Sequence, residues 1–190
     1  MDLILKVTGT VPLIMHNAQL SDPLNQFSKA LKELTSKRIK TDDDLAEMAK
    51  REWLGGLYYD NELGPYIPGP NIQRSLLDAA RMHKRGKSVE RGVLVTTNEN
   101  ALMYAGSRSA GVLVEDENFR LRASVKVGQQ RVMRCRPMFR DWSLTAEIYV
   151  DETQLDLADF RSIADNAGKF IGLGDWRPTY GRFVAQVEVA

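Results

Sequence analysis

Cysteine and histidine are scarce in this chain of 190 residues. The lone Cys135 excludes an internal disulfide and any cysteine-built zinc site, and His16 and His83 by themselves leave little for a metal cage. Long hydrophobic runs are missing as well. No apolar stretch approaches the roughly eighteen residues of a membrane span, so no membrane partner is expected. The opening MDLILKVTGTV lacks the charged first region and the cleavage site of a signal peptide, which points to the cytoplasm. No P-loop, dinucleotide fingerprint, nucleophile elbow or calcium loop occurs, and no cofactor is expected. What remains, 43% hydrophobic and 27% charged residues, is the composition of a folded domain of residues 1–190 and excludes collagen-like, disordered and coiled-coil classes.

Net charge of one sign is also lacking, at only +1, yet the charges are segregated along the chain. Lys29 to Lys40, Arg74 to Arg91 and Asn118 to Arg140 together span 53 residues and hold 18 of the 26 basic residues but three of the 25 acidic ones. A surplus of 15 positive charges on these segments faces a surplus of 14 negative charges on the rest. Local fields rather than the total decide what a surface attracts, so a polyanionic partner stays open.

Alternation at Leu3, Leu5 and Val7 predicts a first strand. An irregular stretch with two prolines follows. A helix is expected from Leu24 to Leu34 and another after Thr41, whose hydroxyl caps a first turn rich in aspartate; Gly55 and Gly56 end it. Leu57 to Tyr59 and Tyr66 to Ile67 read as a hairpin. Pro70 and Asn71 open a helix with an apolar stripe at Ile72, Leu76, Ala79 and Ala80, stopped by Gly86. Short strands are expected at Val93 to Val95, Leu102 to Tyr104 and Val112 to Val114. Leu121, Ala123, Val125 and Val127 alternate with Arg120, Arg122, Ser124 and Lys126; Gly128, Gln129 and Gln130 turn the chain, and Met133 and Cys135 return against Arg134 and Arg136. A strand at Leu144 to Val150, a helix from Leu157 to about Ile171 and a last strand at Phe183 to Val189 close the pattern. Two amphipathic helices between one-sided strands predict an α+β, ferredoxin-like (RRM-like) fold: an antiparallel sheet with both helices on one face, residues 24–66 being an insertion.

Ile171 to Phe183, IGLGDWRPTYGRF, joins that last helix to the last strand. Gly172 and Gly174 can adopt positive φ and offer bare N–H groups to a phosphate, Arg177 can pair with it, and Trp176 and Tyr180 offer flat faces to unstacked bases. A glycine cap and turn with Trp176 on the core explains the same residues. Arg120, Arg122, Lys126, Arg131, Arg134 and Arg136 form a second candidate, Arg131 by its place in the basic run. One face holding Arg120, Arg122, Lys126, Arg134 and Arg136 repels itself unless an anion offsets it. That anion is a nucleic acid, or the carboxylates of Glu115 to Glu117, or Asp151 to Asp165 of a second copy. Arg81, Lys84, Arg85 and Lys87, at the end of a helix, are either a phosphate clamp or a solvated loop.

The pattern Gly172-Leu173-Gly174 followed by Gly181 resembles the glycine-rich loop of the RAMP superfamily of CRISPR-associated RNA-binding proteins. Gly9 to Met15 resembles the first strand and loop of their Cas7-like backbone subunits. The blocks KALKELTSKR, EWLGGLY and GLGDWRP resemble Cas7-like proteins of tailed phages and prophages. The resemblance implies a non-catalytic protein that binds RNA or single-stranded DNA, associates head-to-tail with itself along the strand, and works in the cytoplasm of a bacterium or phage-infected host. His16 lies where related Cas6-type endoribonucleases carry a general acid or base, so RNA cleavage is the alternative, although no second catalytic partner stands at a recognisable spacing. A phage structural or host-interaction role for the same fold is the other.

Overall fold

The computed structural model describes residues 1–190 except the side chain of Val127. Its strands are β1 (Asp2–Gly9), β2 (Leu13–Ile14), β3 (Tyr59–Asp60), β4 (Gly64–Pro68), β5 (Val93–Val95), β6 (Glu99–Ala101), β7 (Met103–Tyr104), β8 (Arg120–Val127), β9 (Gln130–Phe139), β10 (Trp142–Val150) and β11 (Phe183–Val189). The helices are α1 (Gln26–Thr35), α2 (Asp42–Gly56), α3 (Gly69–Met82), α4 (Gly86–Gly92), α5 (Ala110–Leu113) and α6 (Leu157–Asn166). The protein is α+β, and every strand pairing is antiparallel.

Period-two alternation places β1 at the centre of the main sheet, ordered β11-β1-β10-β5, with β7 also on β10. Leu5 stands opposite Ala146 on one side and Val187 on the other. Leu3, Leu5 and Val7 are buried, and they join Leu144, Ala146 and Ile148 in one core with Ile72, Leu76 and Ala79 of α3 and Phe160, Ile163 and Ala164 of α6. Each large apolar side chain withdrawn in this way stabilises the fold by roughly 1.5–3 kcal/mol. Lys6, Thr8, Thr145, Glu147, Tyr149 and Val184 occupy the opposite, exposed face.

Residues 24–66, expected to be an insertion, hold α1, α2, β3 and the start of β4, and their Trp53 and Leu57 join the same buried core as the main sheet. Thr41 and Asp44 close a reciprocal capping box at the start of α2, which packs against α1 and along β9. Trp53 is fully buried, and its indole donates to the Phe119 carbonyl at 2.7 Å. The hairpin is β3 with β4, its turn held by Asp60 accepting from the N–H groups of Glu62 and Leu63.

Three expectations are corrected. Val112 to Val114 is not a strand: Ala110, Leu113 and Val114 share a helical stripe, and residues 110–113 form α5. Gly86 does not stop α3, which ends at Met82; it opens α4, whose Val89 is fully buried. The stretch after β1 is not wholly irregular, because Leu13, Ile14 and Met15 are fully buried and β2 pairs with β9.

Candidate nucleic-acid interface

The β8–β9 hairpin has a two-residue turn, Gly128 and Gln129, that leaves Val127 opposite Gln130. Directly opposed residues share a face. Arg120 with Pro137, Arg122 with Cys135, Ser124 with Met133 and Lys126 with Arg131 therefore form one face; Leu121 with Arg136, Ala123 with Arg134 and Val125 with Val132 form the other. The expected five-residue basic face is divided: Arg134 and Arg136 lie on the side opposite Arg120, Arg122 and Lys126. Leu121, Ala123 and Val125 do share one side, and Val127 lies outside the described side chains.

Arg122, Lys126 and Arg131 are exposed and Arg120 is half-buried. None of the four forms an ion pair among the described residues. The acidic run, one of the alternatives for offsetting them, forms no ion pair with them: Glu115 pairs with Lys50, and Arg120 donates to the Glu115 backbone carbonyl at 3.0 Å while its charge lies near enough to act on that carboxylate. Lys50 holds the Glu115 carboxyl below the usual carboxylate range.

Arg134 and Arg136 serve the fold instead. Glu52 of α2, itself buried, accepts from Arg136 at 2.8 Å and Arg134 at 3.3 Å through one oxygen, and from the Cys135 N–H at 2.9 Å through the other. Arg136 is 7% exposed, and its Nε lies 3.5 Å from Asp175 in the glycine loop. Cys135 is the buried core residue its alternation implies, and burial pushes its thiol pKa up.

In that loop the glycines serve close packing. Gly172, Gly174 and Gly181 have φ of +80°, +77° and +73°. A Cβ on Gly174 would stand 2.2 Å from the Ile14 carbonyl oxygen, and one on Gly181 1.8 Å from that of Leu173. The N–H groups of Gly172, Leu173, Asp175 and Gly181 donate to the carbonyls of Ala167, Gly181, Ile14 and Pro12. Trp176 N–H donates to its neighbour Asp175. The expected row of bare donors thus reduces to Gly174, whose N–H has no acceptor among the described residues. Arg177 is also engaged, 3.6 Å from Asp78 and donating to the Gly172 carbonyl at 3.4 Å. Trp176 and Tyr180 pack on each other, ring centroids 6.1 Å apart, beside an open recess shared with Phe170.

Between the loop and the first turns of α3 lies a pocket of about 130 Å³, lined by His16, Tyr58, Asn71, Arg74, Gly174, Asp175 and Arg177. At roughly 30 Å³ per water it holds about four oxygen-sized groups, the size of a tetrahedral oxyanion. Asp78 gathers three arginines at its side: Arg74 with Nε 2.9 Å from both carboxylate oxygens, Arg81 at 3.3 Å and Arg177 at 3.6 Å. Asp175 also lines the pocket and Glu90 takes the far side of Arg81, so the three guanidinium groups are balanced by three carboxylates and it is their placement, rather than a net charge, that the pocket offers. Nδ1 of His16 is buried without a partner, and Tyr58 donates to the His16 carbonyl at 3.3 Å. Burial first, and then the nearby Arg136 charge, lower the His16 pKa from its ordinary value. Asn71, Arg74 and Asp78 were not read as site residues from the sequence, where Asn71 marks a helix start and Arg74 opens a basic segment; the only signal joining the last two is an i,i+4 pair on a helix, a common surface feature.

Of the α3-tail residues, Arg81 also pairs with Glu90 and Arg85 with Asp159, so these two are not free cations. Lys84 and Lys87 are exposed and form no ion pair among the described residues. His83 meets Asn166 at 3.0 Å. Among the described residues no cluster of three or more His, Cys, Asp or Glu is placed to hold a metal, and no helix is long and apolar enough to cross a membrane. The chain matches no family model, and no curated protein matches it.

Proposed function

We propose that this chain is a non-catalytic binding protein for single-stranded nucleic acid, RNA or DNA, that associates with copies of itself along the strand. One observation carries the reading: Arg120, Arg122, Lys126 and Arg131 share a hairpin face with no carboxylate partner, and Lys126 stands directly opposite Arg131. Like charges so opposed are destabilising unless an anion lies over them, and a phosphate backbone is such an anion. The pocket at Gly174, Arg74 and Arg177 is the second candidate contact, where a phosphate would have to compete with Asp78 for the two arginines and lie beside Asp175.

The main sheet supports a ferredoxin-like, Cas7-like reading, since β1, α3, β5, β10, α6 and β11 follow one another as βαββαβ with both helices on one face. Its open face is a poor surface for phosphate, however. Asp2, Glu147 and Glu188 lie on it, and Lys6 is paired with Glu188. The strand is therefore held by hairpin and loop rather than along the sheet, as that fold by itself would suggest.

The rival reading is metal-independent RNA cleavage by His16, favoured by Tyr58 lying in the same pocket. Burial disfavours the protonated imidazole, which still allows His16 to act as a base; the proton for the leaving oxygen would then fall to Tyr58, whose hydroxyl already donates to the His16 carbonyl, and that favours binding alone. Anisotropy of a labelled single strand, titrated at several salt concentrations, tests the proposal. Four contacts give a log–log salt slope near −3 at about 0.7 per contact, and reversing Arg120, Arg122 and Lys126 to Glu removes binding. Absence of binding at low salt overturns it, and discrete RNA products in EDTA that vanish in His16→Ala establish the rival.

A further inference from the structure

A recess of about 350 Å³ lies where α1 approaches the β3–β4 hairpin. In a chain with 27% charged residues, no Asp, Glu, Lys, Arg or His lines it. Three half-buried aromatic residues, Phe27, Tyr59 and Tyr66, line it together with buried Leu57. Asn17 and Gln19 also line it, but their carboxamides are engaged with the backbone of Gln19, Leu57 and Gly55. At its mouth the exposed carboxamides of Gln26 and Asn61, and within it the hydroxyls of half-buried Tyr59 and Tyr66, have no protein partner among the described residues and are open to a ligand in exchange for water.

We propose that this recess accepts an unstacked nucleobase, through stacking on its aromatic walls and hydrogen bonds from the unpaired carboxamides. The ligand class rests on the nucleic-acid reading above; the shape and chemistry of the recess stand independently. A site without charge selects a neutral ligand, and aromatic rings favour a flat one. Each free carboxamide presents a donor and an acceptor side by side, matching the edge of a base. An extended peptide is less well served, because β4 is paired on both edges by β3 and β6 and β3 offers only two residues for strand addition.

The recess adjoins the phosphate-sized pocket. His16 and Tyr58 line that pocket while their chain neighbours Asn17 and Tyr59 line this one, and Tyr58 packs on Tyr66 with ring centroids 6.1 Å apart. The two sites share a wall.

Neutral nucleosides separate the two readings because they carry no phosphate. In proton–nitrogen NMR spectra of the full chain titrated with adenosine, guanosine, cytidine or uridine, the side-chain amides of Gln26 and Asn61 and the backbone signals of Phe27 and Tyr59 should shift at millimolar ligand. Tyr59→Leu should weaken that binding about tenfold, the loss of one stacking contact, while Tyr59→Phe retains the ring and most of the affinity. The salt slope of oligonucleotide binding should not change in either variant. No shift at these residues with any nucleoside overturns the proposal whatever the variants do, and so does a proline-rich peptide that moves these signals where nucleosides do not. Nucleoside shifts without oligonucleotide binding overturn the proposed function and leave the base site standing.

Discussion

Arg136 Nε lies 3.5 Å from Asp175 Oδ2 while the same guanidinium donates to Glu52 at 2.8 Å, so one side chain ties the root of the β8–β9 hairpin to α2 and to the glycine loop. The basic hairpin and the pocket beside the glycine loop are thereby held in one frame by a residue that is itself buried.

Removing that side chain should destabilise the whole protein. Arg136→Met leaves Glu52 buried with only Arg134 and one backbone N–H, and is expected to cost about 3 kcal/mol, read as a lower urea midpoint with unchanged slope. Arg131→Met, on the exposed face, should stay within about 0.5 kcal/mol. Equal effects of the two would show that Glu52 is not an anchor.

Two glycines with positive φ should respond differently to alanine. At Gly128 nothing lies within 4 Å of the added Cβ, so only backbone strain is incurred, about 1 kcal/mol. Gly174→Ala adds a clash with Ile14 on β2 and should cost about 3 kcal/mol or more. Thermal melts of the two variants, side by side, check the ranking and with it the docking of the loop on β2.

His16 should make stability fall at mildly acidic pH. Its folded pKa lies below the ordinary value of 6.5, so the unfolded chain binds its proton first. Stability from this group is complete above about pH 6.5 and declines as pH drops toward the folded pKa. Urea midpoints measured between pH 7.5 and 5 should show this decline in the wild type and a flatter profile in His16→Gln. A wild-type profile no steeper than that of the variant would contradict the burial of the ring.

Assembly should depend on nucleic acid. Of the carboxylates available to a neighbouring copy, Asp159 and Asp165 are already paired with Arg85 and Lys169, which weakens direct head-to-tail attraction. Light scattering should therefore find small species in the free protein and larger ones with a long single strand. A mass unchanged by excess strand at low salt removes the self-association reading.

Much of this molecule follows from local pattern alone. The alternations of β1, β8, β10 and β11, the capping box at Thr41 and the stripes of α3 and α6 are dictated by which neighbours must share a face, and neighbours in sequence suffice for that. The division of the arginines could not be read in this way. A turn taken as Gly128, Gln129 and Gln130 sets Arg122 opposite Arg136, whereas the actual two-residue turn sets Arg122 opposite Cys135; a shift of one residue moves a whole strand's side chains to the other face. Nor does composition tell which charges are free. Glu52 and Arg136 stand 84 residues apart, and Gly181 donates to Pro12 across most of the chain. Those partners are chosen by the packing of distant elements, and that packing turned Arg134, Arg136, Arg177 and the loop N–H groups into structural ties while leaving Arg120, Arg122, Lys126 and Arg131 exposed or half-buried without a carboxylate.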